Sequence, residues 1–91
     1  MMLPTIHRNG TSKAELMKQA TDALAALRRA IDAMVAMGPN GRDYYPQGPD
    51  AIKAAIVEHC TRVGSLVMVQ KEIEAIAVGI DAGGWKAEDA Q

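Results

Sequence analysis

Apolar residues recur at alternating steps of three and four along two long stretches of this chain, and this repeat constrains the fold most. In the first stretch Met17, Ala20, Leu24, Leu27, Ile31 and Met34 follow one another at steps of 3, 4, 3, 4 and 3. That is an a/d seam, widened by Leu16, Ala23, Ala30 and Met37, with Asp22, Arg28, Arg29 and Asp32 off the stripe. "SKAE" reads as a capping box, Ser12 accepting from the backbone of Glu15 while Glu15 reaches back to the cap. Gly38-Pro39 stops the helix: glycine suits the left-handed C-terminal position and proline cannot continue it. A helix over about residues 12–37 is predicted, roughly 39 Å long.

The second seam is longer. Ile52, Ile56, His59, Val63, Leu66, Gln70, Ile73, Ala77 and Ile80 keep strict alternation of four and three. Ala55, Val69 and Ile76 widen it on one side, Cys60 and Val67 on the other. Pro49 is placed at the first helical position with Asp50 at the positive dipole end, and "DAGG" closes the helix. The prediction is a helix over about 49–82, joined to the first by a loop at 38–48. Residues 1–11 form an extended N-terminal arm, 12–83 the hairpin and 84–91 a C-terminal tail.

Two helices back to back make a thin core, and 91 residues is small for a chain to fold on its own. The apolar stripe of the second helix is wide enough for further neighbours. An all-α antiparallel hairpin assembling as a homo-oligomer is therefore expected: a homodimer forming a four-helix bundle, or a higher oligomer of hairpins. Cys60 is the only cysteine, so a disulfide within one chain is excluded, and it reads as a small packing residue. No secretory segment and no apolar run of about 18 residues is present, which points to a cytoplasmic protein without membrane contact. Asn9-Gly10-Thr11 is then a chance glycosylation sequon. Ten basic and eleven acidic residues nearly cancel, so direct DNA or RNA binding is not expected.

Polar residues inside the second seam, His59 and Gln70, read first as setting register or partner choice, and second as ligand-facing positions. No metal-ligand spacing accompanies His59-Cys60, no cofactor motif occurs, and no nucleophile, base and orienting group stand at a suggestive spacing. A non-enzymatic chain without metal or cofactor is the expectation. The six methionines suit either an adaptable groove or, as the better reading, core filling.

"PNGRDYYPQGP" between the helices holds both tyrosines and three of the four prolines. It is longer than most helix–helix connections. Arg42 offers a planar donor fork for phosphate or carboxylate, Tyr44 and Tyr45 offer rings, and Asp43 and Gln47 offer hydrogen-bonding edges. With the N-terminus of the second helix beside them, these residues could hold a flat anionic ligand such as a nucleotide. The competing reading is a self-packed loop that caps the bundle end. His7 and Arg8 lie at the opposite end of the hairpin, where the arm either straps the seam with Leu3 and Ile6 or, in an antiparallel dimer, completes the partner's loop.

The pair "IHRNGTS" and "NGRDYYPQGP" resembles a group of small helical phage and prophage proteins with an N-terminal NGTS and an N-x-RDYYPQG loop. The matching positions are Asn9, Gly10 and Thr11, then Asn40, Arg42, Asp43, Tyr44, Tyr45, Pro46, Gln47 and Gly48. Asn9 and Thr11 join the candidate ligand-binding residues on that likeness. The resemblance implies one of two phage settings. One is sequestration of a nucleotide-derived host-defence signal; the other is a structural component that docks a phage or host protein.

Overall fold

A computed structural model of the chain describes residues 1–87, so part of the expected tail, residues 88–91, lies outside the described residues. Two helices, α1 (Lys13–Ala36) and α2 (Ala51–Asp81), pack together as a hairpin. Two single turns of 3-10 helix, Gly41–Asp43 and Tyr45–Gln47, lie between them. At one end of the pair Lys13 Nζ is 4.0 Å from Asp81, and at the other His59 reaches the carbonyl of Met34. The helices therefore run antiparallel.

The helix ends explain their own positions, with two departures from expectation. Ser12 is extended and its Oγ accepts from the Glu15 N–H at 3.1 Å, which starts α1. Gly38 does not take the left-handed conformation: Gly48, Gly83 and Gly84 are the positive-φ glycines. Instead Met37 caps α1 at φ −83°, and the Gly38 N–H bonds to the Val35 carbonyl at 3.0 Å. A closing 3-10 turn takes the place of the left-handed cap. Pro49 is not the first helical residue either. Gly48, at φ 107°, turns the chain through Pro49 and Asp50, and α2 begins at Ala51 with no side-chain cap from Asp50. The end of α2 follows expectation, with Gly84 N–H bonded to Gly79 and Gly83 N–H to Ile80, both at 2.9 Å.

Between the helices Ala20, His59, Ala77 and Ile80 are buried, and most other seam residues are half-buried. Ile56, expected in the seam, is 45% exposed. Its turn of α2 lies where α1 has ended. Cys60 is exposed and not packed, because it lies on the flank of a seam that has only one neighbour.

The core is thin. The radius of gyration is 19.2 Å, where a compact chain of this length has about 12 Å. The accessible surface is 6700 Å², against about 5,100 Å² for a compact protein of this mass. Val57, Met68 and Val78 project into solvent from α2. Among the described residues, no helix is long and apolar enough to cross a membrane.

The N-terminal residues lie against the end of α2. Thr5 and Gly84 form an isolated antiparallel bridge, and the Trp85 N–H donates to the Pro4 carbonyl at 2.9 Å. Leu3 covers Gly79, where a Cβ would fall 2.6 Å from Leu3 Cδ2. At Gly84 a Cβ would fall 2.5 Å from the Pro4 carbonyl oxygen, so the close approach of the two segments depends on that glycine.

Candidate functional site

The connection between the helices is wound, not slack. Asn40 Oδ1 accepts from the Arg42 N–H at 3.1 Å and opens the first 3-10 turn. The second turn follows at once, with Gln47 N–H bonded to Tyr44 and Gly48 N–H to Tyr45. Pro46, with its preset φ, suits the second turn.

This winding separates the two tyrosines. Tyr44 is the cap residue between the two turns and Tyr45 opens the second, so the two have different backbone settings. Tyr44 is half-buried against the helices, while Tyr45 is 75% exposed.

A cavity of about 350 Å³ opens beside Tyr44 and Gln47. Its floor is the small-residue side of α2, Ala51, Ala54 and Ala55, and its far wall is His59, Glu58 and Arg62. Short alanines leave the space; the tyrosine ring and the longer polar chains frame it. Of the residues expected to bind a ligand, Tyr44 and Gln47 line this cavity. Arg42, Asp43 and Tyr45 stand exposed on the loop outside its lining.

Arg62 is the basic group of the cavity, and the loop-centred reading missed it. Its guanidinium is 3.8 Å from Glu58, one turn earlier, and both side chains are well exposed. The signal was present in the spacing: Ala55, Glu58, His59 and Arg62 fall on one side of a helix at steps of three and four.

Among the described residues, His59 is the one buried polar residue. Its Nε2 donates to the Met34 carbonyl in the last turn of α1. The last carbonyls of a helix have no partner within it, so His59 acts as a cap supplied from the other helix. This gives the polar seam position a structural role. Gln70 is half-buried in the same seam.

His7, Arg8, Asn9 and Thr11 are exposed at the other end of the hairpin, with a turn closed by Gly10 N–H on the His7 carbonyl at 3.1 Å. The length of α1, about 36 Å, separates them from the cavity. One chain therefore does not bring the two groups of candidates together. On the exposed face of α1, Lys18 is hydrogen-bonded to Asp22 at 2.8 Å, which holds its ammonium above the ordinary lysine value. It plays no part in the cavity. Among the described residues, no three His, Cys, Asp or Glu side chains gather as metal ligands.

The arrangement supplies a ring face, an amide and a guanidinium around one small space. Such groups are suited to stacking, hydrogen bonding and ion pairing. No protein-family model, curated protein or solved structure matches the chain.

Proposed function

We propose that this chain is a non-enzymatic, self-associating helical hairpin that binds an anionic, nucleotide-like small molecule at the loop end. The observation that carries the reading is the cavity framed by Tyr44, Gln47 and Arg62. An aromatic face accepts a base by stacking, an amide reads its edge, and a guanidinium pairs with phosphate. The first turn of α2 borders the same space through Ala51 and Ala54, at the positive end of the helix dipole. Its volume lies at the small end of ligand pockets, so a mononucleotide portion fits and the remainder of a larger ligand projects past the loop. On this reading Arg42, Asp43 and Tyr45, exposed on the loop, meet that remainder, and His7, Arg8, Asn9 and Thr11 reach it only from a second copy. In the phage setting that the two motifs resemble, such a protein sequesters a host-defence signal in the host cytoplasm.

Titration calorimetry with cyclic di- and trinucleotides and ADP-ribose derivatives tests the reading. Saturable binding to the wild type that is lost in Arg62→Ala supports it. No heat with any member of the panel contradicts it.

A second reading is favoured by the 75% exposure of Tyr45 and the 70% exposure of Met37 at the same end. On that reading the loop docks a phage or host protein, and a specific partner that co-purifies is lost on Tyr45→Ala.

A further inference from the structure

We infer that a second copy of this chain docks antiparallel on the face of α2 that carries Val57, Cys60, Gly64, Val67, Lys71 and Val78. This inference rests on the self-association in the reading above and names its surface and direction. These six residues follow at steps of 3, 4, 3, 4 and 7, with Glu74 at the intervening position, a second heptad row beside the seam that α1 fills. Val57 and Val78 are 66% and 70% exposed, and Cys60, Gly64 and Lys71 are exposed as well. Among the described residues, α1 half-buries Val67 and leaves the other five exposed.

Its middle is a groove of about 410 Å³ between the two helices, with Val35 on the α1 side and Cys60, Gly64 and Val67 on the α2 side. Cys60 and Gly64 are small and sit near the midpoint of Ala51–Asp81, so they allow another helix to approach closely there. The surplus area is enough for a second copy, being about twice what one standard dimer takes from each chain. The chain exposes about 1,600 Å² more than a compact protein of its mass, and a standard dimer buries about 800 Å² on each partner.

Charge sets the direction. Lys53 and Lys71 both lie on this row. A parallel pair would bring each lysine against its own counterpart, which is repulsive. An antiparallel pair crossing at Gly64 sets Lys71 opposite Val57, where its alkyl stem covers the valine. The same register brings Lys53 to the level of Ala75, beside Glu74 on the facing helix.

Two consequences follow for the cavity. Cys60 and Arg62 are two residues apart, hence about 200° apart round the helix, so the docked copy leaves the Arg62 side open. Antiparallel docking also sets the loop end of one chain toward the end of the other that carries His7 and Arg8.

Light scattering and cross-linking on the full chain test this. The wild type is expected at twice the 9.7 kDa of one chain. Gly64→Glu is expected to weaken the dimer at least about tenfold while keeping the helical circular dichroism. Nothing lies within 4 Å of a Cβ added at Gly64, so the variant folds without clash. Val69→Glu, on another side of α2, is expected to leave the dimer intact. In a Cys60→Ala background, Gly64→Cys is expected to form an intermolecular disulfide. Lys71→Cys is not, because antiparallel crossing at Gly64 holds the two copies of that position about 21 Å apart.

A monomeric wild type overturns the inference and the self-association of the reading together, whatever the calorimetry gives. A dimer that survives Gly64→Glu but is split by Val69→Glu overturns the surface alone. Disulfides at both cysteine positions overturn the antiparallel direction alone.

Discussion

His59 on α2 donates from its ring to the carbonyl of Met34 on α1, 25 residues earlier in the chain. The hydrogen bond joins the two helices where α1 ends, next to the candidate ligand cavity. It satisfies a helix-terminal carbonyl with a side chain from the other helix.

Removing that donor should loosen the loop end of the hairpin. His59→Ala loses the hydrogen bond and leaves a void in a thin core, a cost of about 2 kcal/mol. For a chain of this size the melting temperature should fall by roughly 10 °C. Thermal unfolding followed by circular dichroism checks this, and an unchanged midpoint would show that the contact adds nothing.

At the other end, Gly84 and Gly79 make a paired test of the N-terminal contact. Gly84→Ala combines a left-handed φ of 77° with a Cβ 2.5 Å from the Pro4 carbonyl, so backbone has to move. Gly79→Ala meets only the Leu3 side chain, which can shift by rotation, and alanine improves the helix. Gly84→Ala should lower stability by about 2 kcal/mol or more in urea titrations, with Gly79→Ala changing it by less than about 1 kcal/mol.

Ser12→Ala should cost about 1 kcal/mol, since the serine oxygen accepts the Glu15 N–H that begins α1. Ser12→Asp, which keeps an acceptor and adds negative charge at the helix start, should hold wild-type stability. Urea midpoints of the two variants provide the comparison.

The two tyrosines should behave differently. Tyr44 lines the cavity and Tyr45 faces solvent. Under the ligand reading Tyr44→Ala abolishes nucleotide binding, while Tyr45→Ala reduces it at most severalfold. Under the docking reading the order reverses, with a partner protein lost on Tyr45→Ala. Calorimetry and co-purification on the same two variants separate the outcomes.

Both helices were legible because their signals are local. Ser12 marks one start, Gly83-Gly84 one end, and the three-four steps give each helix its inner face. What lay beyond local signals was less legible. Gly38 and Pro49 are good left-handed-cap and first-turn residues by type, yet the closing turn after Met37 and the positive φ of Gly48 moved both boundaries inward. Nothing local ties residue 59 to residue 34, so the role of His59 as a cap emerges only once the two helices are in register. Tyr44 and Tyr45 read as a pair because they are adjacent, but Tyr44 lies between the two 3-10 turns and is half-buried while Tyr45 opens the second and is exposed. Arg62 was hard to read as a site residue because it lies about three turns inside α2, far from the loop in sequence, and shares a cavity with Tyr44 only in the folded hairpin. Cys60 read as packed because it flanks the seam beside Val67, and in the single chain α1 leaves it exposed.

The most direct test of ligand capture is a melting curve of the wild type with each member of the nucleotide panel at saturating concentration. A ligand present at a hundredfold its dissociation constant stabilises by about 2.7 kcal/mol, which is a rise on the order of 10 °C for a chain this small. The account predicts such a rise for at least one anionic nucleotide, absent in Tyr44→Ala and Arg62→Ala. Unchanged melting of the wild type with every nucleotide would contradict it.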